Sequence, residues 1–147
     1  MRGGILMIVA AAAMGCGGGA GPTETETSAA LTAESGIELR FGETLAVEGT
    51  VLRISFTDVL GDSRCPSDVT CVWAGNASVQ VGISAGSGPT FPLVLNSTLE
   101  PRHADWNGVR VTLLEVLPEP LSTEVLIPQD YSIRVRLTEV VPTASSS

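Results

Sequence analysis

The sequence contains no lysine, one histidine, three cysteines and only 4% aromatic residues. This scarcity leaves Ser–His, Cys–His and lysine chemistry little to work with. Acid–base catalysis by a carboxylate pair such as Asp58 and Asp62 is the alternative, yet 16 acidic residues make close pairs unavoidable. Every catalytic role would fall to acids alone, and we therefore predict that the chain is not an enzyme and uses no cofactor.

The charge of the chain is strongly of one sign. Sixteen acidic residues outnumber eight arginines, which gives a formal net charge of −8. An acidic protein repels nucleic acid and anionic lipid surfaces. We therefore predict no nucleic-acid partner and assign the net charge itself to solubility.

The N-terminal apolar run, residues 5–13, is shorter than the roughly 20 residues that span a bilayer. Because Arg2 precedes it, residues 1–15 are typical of a secretory signal peptide. The adjoining stretch Ala13-Met14-Gly15-Cys16 resembles the lipobox of bacterial lipoproteins, and this resemblance implies that Cys16 carries a lipid. Two alternatives are ordinary cleavage after an Ala-x-Ala site and a structural Cys16, which the three glycines behind it disfavour.

The cysteine count also favours lipidation of Cys16, because it leaves the even pair that an exported protein normally has. Residues 16–35 are rich in Gly, Thr, Glu, Ser and Ala, and we predict a flexible tether there. The short tail, residues 142–147, is predicted to be disordered. The expected location is the cell envelope, on a lipid-anchored membrane, and the outer membrane if the organism has one.

Residues 36–141 carry the signal of a folded domain. Apolar and polar residues alternate in about seven short runs with Gly and Pro between them, which predicts an all-β fold. The spacing favours a small sandwich or barrel, and the clean alternation favours antiparallel sheets. Trp106, which precedes the turn signal Asn107-Gly108, is expected to close one end of the core, and an exposed anchor is the alternative.

Cys65 and Cys71 lie in the densest cluster of unusual residues, Asp62 to Ala77. Two cysteines of one exported chain normally pair, and we predict a disulfide between them. Closing so short a loop contributes about 2 kcal/mol by chain entropy. Trp73 follows at once, and we predict that it covers the bridge as a buried apolar side chain.

The same cluster reads Asp-Ser-Arg-Cys-Pro, a few residues, then Cys-x-Trp-Ala-Gly and an alternating strand. It resembles a motif of uncharacterised secreted or lipid-anchored bacterial β-domain proteins. The resemblance covers residues 54–81 closely and extends to residues 113–120 and the strand that begins at Tyr131. It implies an exported β-domain and carries no activity with it.

A metal site is an alternative function for the cysteines. Cys65, Cys71 and His103 are residue types that bind copper or zinc. The spacing is not C-x-x-C, exported thiols tend to oxidise, and His103 lies in what reads as a polar surface loop. We therefore favour a structural disulfide and predict no metal.

Binding without catalysis is the function that we favour. The loop between the cysteines is clamped at both ends, which lowers the entropy that a partner must remove. The chain is thus expected to be an exported lipoprotein with a binding or structural β-domain, and its partner would be another envelope or extracellular protein. A protease-inhibitor-like module that presents the 65–71 loop is a further alternative. The candidate binding residues are Asp62, Arg64, Pro66, Ser67, Asp68 and Trp73.

Overall fold

A computed structural model describes residues 28–30 and 36–140. The predicted signal peptide, Cys16, most of the predicted tether and the predicted tail lie outside the described residues. No helix within the described part of the chain is long and apolar enough to cross a membrane. The described elements are strands and one 3₁₀ turn: β1 Ser28–Ala30, β2 Ile37–Arg40, β3 Thr44–Glu48, β4 Leu52–Asp62, β5 Ala77–Ala85, β6 Phe91–Asn96, β7 His103–Trp106, β8 Val109–Leu117, the turn Pro128–Asp130 and β9 Ser132–Glu139.

The strands form two sheets that pack as a sandwich, and this confirms the predicted all-β class. One sheet has the order β1-β3-β4-β5-β6 and the other the order β2-β9-β8-β7. Neighbours are antiparallel, except that β1 runs parallel to β3 with Ser28 opposite Ala46. Strand β1 falls inside the segment that the sequence predicts to be a tether.

The core lies between the sheets and consists mostly of aliphatic residues. Strand β9 shows why: its inward positions Ile133, Val135 and Leu137 are buried, while the residues between them are half-buried. Phe56 is the largest fully buried side chain, and the ring of Phe41 meets it edge-on at a centroid distance of 5.6 Å. Val, Ile and Leu therefore supply most of the apolar burial that holds the sheets together.

Trp106 packs half-buried against the core and contacts the ring of Phe91 at 5.5 Å. Trp106 covers the core, as expected, but it does so at the side of the sandwich where β6 and β7 approach each other and not at one end of the sandwich. His103 corrects a second expectation, because it begins strand β7 rather than lying in a loop; its side chain is exposed.

The long strand β4 defines the two ends of the sandwich. It begins beside the turn at residues 49–51 and ends at Asp62, about 30 Å away for a strand of its length. Residues 63–76, here called the cystine segment, connect β4 to β5, and residues 118–130, here called the facing segment, precede β9. Both segments leave the sandwich at the Asp62 end, which we call the loop end.

Candidate functional site

The cystine segment contains the disulfide that the sequence predicts. Cys65 and Cys71 are bonded, with an S–S distance of 2.11 Å and Cα atoms 5.9 Å apart. Their sulfur atoms are therefore not thiolates that could bind a metal ion. Among the residues that the structure describes, no group of three or more His, Cys, Asp or Glu side chains is placed to hold one.

The base of the cystine segment continues the pairing of β4 with β5. The amide of Ser63 donates to the carbonyl of Asn76 at 2.8 Å, and the amide of Cys65 donates to the carbonyl of Ala74 at 2.8 Å. Gly75 lies between these rungs with φ of 71°, where its missing side chain lets the two backbones approach. A Cβ atom there would lie only 1.8 Å from the carbonyl oxygen of Ser63.

Arg64 joins the cystine segment to the second sheet. Its guanidinium pairs in bidentate fashion with Asp62, from Nε to Oδ1 at 2.9 Å and from Nη2 to Oδ2 at 2.6 Å. The same group donates to the carbonyl of Val116 at 2.6 Å and to that of Pro118 at 2.9 Å. Both partners of the ion pair are largely buried, with side-chain exposures of 12% and 9%. The bidentate geometry and the four hydrogen bonds of the guanidinium indicate a structural tie.

Tyr131 completes this network by donating its hydroxyl to Oδ2 of Asp62 at 3.0 Å. Burial alone would raise the pKa of Asp62, but hydrogen bonds from the side chain and backbone of Arg64 and from Tyr131 outweigh it and lower that pKa. Burial, and then the bond to Asp62, raises the pKa of Tyr131. Asp62 is therefore a carboxylate and Tyr131 a neutral donor at neutral pH.

Two residues between the cysteines, Ser67 and Asp68, form hydrogen bonds to the facing segment. The amide of Ser67 donates to the carbonyl of Pro120 at 2.9 Å. The carboxylate of Asp68 accepts from the hydroxyl of Ser122 at 2.5 Å and from its amide at 2.8 Å. These bonds, from the Ser122 hydroxyl first and then from its amide, lower the pKa of Asp68. The two segments are thus fastened to each other as well as to the sheets.

Trp73 does not cover the disulfide, and this expectation was wrong. Its side chain is 78% exposed, and the neighbouring Val72 is 93% exposed. The backbone between Cys71 and Ala74 lies outside the β4–β5 ladder, so neither sheet face receives the indole. Trp73 is presented to solvent by a segment that is fixed on both sides of it.

Other exposed apolar side chains accompany Trp73 at the loop end. The facing segment contributes Val125, which is 91% exposed, together with Leu121 and Ile127. Isolated surface residues of this kind are common, whereas several on two connected loops make the loop end a candidate interaction site. We call them the apolar set: Val69, Val72, Trp73, Leu121, Val125 and Ile127.

The structure separates the candidate binding residues into two groups. Asp62 and Arg64 bond to each other and to the backbone, and Ser67 and Asp68 bond to the facing segment. Pro66 is half-buried beside the bridge. Ser67 and Asp68 are exposed like Trp73, but their polar groups already bond to the facing segment. The facing segment was not singled out from the sequence, although its apolar residues fit no alternating strand.

Comparison of the chain with protein-family models, with curated proteins and with solved structures finds no match. A function can therefore be proposed only from the residues themselves. The fold and the loop end define the chain as a β-sandwich domain that carries an exposed tryptophan directly after a disulfide-closed loop.

Replacing Trp73 with alanine should change the free energy of unfolding by no more than about 0.5 kcal/mol, because the indole is largely solvated already. Trp106→Ala is the matched control and should cost more, because that indole packs on the core and on Phe91. Denaturant unfolding of the purified full chain measures both. A loss at Trp73 as large as that at Trp106 would show that the indole is buried in solution.

Proposed function

We propose that the chain is an exported lipoprotein whose β-sandwich binds another envelope or extracellular protein, without catalysis, through the apolar set at its loop end. The observation that carries the binding proposal is the 78% exposed Trp73 beside the 93% exposed Val72, directly after the loop that the Cys65–Cys71 disulfide closes. Tryptophan is enriched among the few residues that dominate binding energy at protein interfaces.

The rigidity of the loop end favours binding. Ordering a loop on association costs free energy, and a loop that is already fixed avoids most of that cost. The disulfide, the Asp62–Arg64 pair and the Asp68–Ser122 bonds hold the cystine segment from three directions. The exposed tryptophan therefore belongs to a loop end that is already ordered before a partner binds, which lowers the entropic cost of association.

The two alternatives receive no support from the geometry of the cystine loop. A protease-inhibitor loop needs a free backbone for pairing in the enzyme cleft, whereas the amide of Ser67 already donates to Pro120. A copper or zinc site would need the sulfur atoms of Cys65 and Cys71, which are bonded to each other. Both remain less favoured than an interaction through the apolar set.

The anchor part of the proposal rests on the signal-peptide pattern of residues 1–15 and on the lipobox resemblance at Cys16. Wild-type chain should incorporate labelled fatty acid and sediment with membranes, and Cys16→Ala should lose both properties. Incorporation that persists in Cys16→Ala, or unlabelled wild type, would contradict lipidation at this residue.

The binding part is tested by a photo-crosslinking amino acid introduced at Val72 of the full chain in the producing cell. Val51 provides the control, because it is 70% exposed and lies at the opposite end of the sandwich. We expect a discrete protein adduct from position 72 and none from position 51. Adding Trp73→Ala should reduce the yield about tenfold or more. Equal adducts from both positions, or none from position 72, would refute this use of the loop end.

A further inference from the structure

We infer that the partner offers an apolar pocket for Trp73 framed by lysine or arginine side chains. This inference rests on the proposed function and adds the chemistry of the partner. Its basis is the charge that surrounds the apolar set. The cystine segment with Asp62, together with the facing segment, contains five carboxylates (Asp62, Asp68, Glu119, Glu124 and Asp130) and one guanidinium (Arg64), a net charge of −4.

Within the cystine and facing segments the single positive group, Arg64, is already used; the neighbouring connection from β6 to β7 adds Arg102 together with Glu100 and leaves the net charge at −4. Arg64 is largely buried, and its fork is occupied by Asp62 and by the carbonyls of Val116 and Pro118. Among the described residues of the two segments, a partner therefore meets exposed carboxylates, while the one guanidinium is buried and already bonded.

Two of the carboxylates are open to a partner. Glu119 and Glu124 are exposed, and within the described residues neither side-chain carboxylate has a hydrogen bond or an ion pair. Glu119 and a second carboxylate, Glu115, also line a cavity of about 330 Å³, whose wall includes Arg64, the guanidinium that is already paired with Asp62. A basic side chain of the partner could enter this cavity while the apolar set makes the central contact.

An apolar centre with a charged rim is the usual anatomy of a protein interface. The rim steers the encounter and selects the partner by sign. A second copy of this chain would bring the same −4 to the contact and be repelled, and an anionic membrane surface would be repelled likewise. A basic protein surface is the class of partner that satisfies both the apolar set and its rim.

The test uses the protein captured at position 72, purified and titrated against the full chain in detergent. Association should slow about tenfold between about 50 mM and about 500 mM NaCl, because salt screens the rim. Glu119→Gln/Glu124→Gln should slow association severalfold at low salt. The matched control Glu48→Gln/Glu139→Gln removes the same charge at the opposite end and should leave the rate unchanged.

Several results would overturn the inference. Association that is independent of salt, or equally slowed by both charge pairs, would mean that the rim does not select the partner, although the proposed function would stand. Adducts from position 72 to lipid, or sedimentation with phosphatidylcholine vesicles that requires Trp73, would replace the protein partner by a membrane. Adducts to a second copy would replace it by self-association. The absence of any adduct at position 72 would refute the proposed function, and this inference with it.

Discussion

Replacing Arg64 with alanine should lower the free energy of unfolding by about 3–5 kcal/mol, the usual effect of breaking a buried ion pair. Asp62 would keep its charge in a largely buried site, and two backbone carbonyls would lose their donor. Denaturant unfolding of the full chain measures the loss. The loss should be far larger than for any exposed arginine.

Arg110→Ala is the matched control for Arg64→Ala. Arg110 pairs with Asp105 in the same bidentate geometry, at 2.7 and 2.8 Å, but the two side chains are 40% and 45% exposed. Exposed pairs contribute about 0–1 kcal/mol, and we expect a loss in that range. Similar losses at the two sites would mean that burial does not set the strength of the Asp62–Arg64 pair.

The pH dependence of stability provides a second signature of the same network. The pKa of Asp62 is lower in the folded chain than its ordinary value of 3.8. A depressed carboxylate pKa stabilises the fold above the unfolded value, and that contribution is lost as pH falls below 3.8 toward the folded pKa. Wild type should therefore exceed Asp62→Asn in free energy of unfolding by a constant amount near neutral pH, and this difference should shrink below pH 4.

Most of the sandwich could be predicted because alternation reports directly which face of a strand is buried. Strand β7 was missed, since His103-Ala104-Asp105-Trp106 lies at a sheet edge and has half-buried positions rather than a clean apolar face. Strand β1 was missed because Ser28-Ala29-Ala30 has a composition typical of a linker. Pairing along a neighbour's edge, and not local apolar pattern, determines such strands.

The candidate site was only partly predictable. The disulfide followed from cysteine usage, but the position of Trp73 depends on contacts that span more than 50 residues, from Arg64 to Val116 and from Asp68 to Ser122. Proximity to Cys71 in sequence suggested a cover for the bridge, whereas in the structure the loop bonds to the facing segment and the indole is exposed to solvent. Local sequence carries no signal of such long-range bonds.

Gly75→Ala should lower the free energy of unfolding by about 2–5 kcal/mol, because two costs add at one position. A side chain in the left-handed region costs about 1–2 kcal/mol, and forcing an atom into occupied space costs about 1–3 kcal/mol. The occupied space here is backbone: the new Cβ would lie 1.8 Å from the carbonyl oxygen of Ser63. A carbonyl in a sheet ladder cannot rotate away as a side chain can, so the β4 and β5 ends must separate.

Gly49→Ala isolates the first cost, because Gly49 has a similar φ of 74° and no atom within 4 Å of the added Cβ. It should lose only about 1–2 kcal/mol in the same unfolding measurement. The separation forced at Gly75 would also break the bonds between Ser63 and Asn76 and between Cys65 and Ala74, the rungs on which the cystine segment stands. We therefore expect Gly75→Ala to abolish the adduct from position 72, while Gly49→Ala retains it. Equal stability of the two variants, or an undiminished adduct in Gly75→Ala, would show that the close approach of Ser63 and Gly75 does not position Trp73.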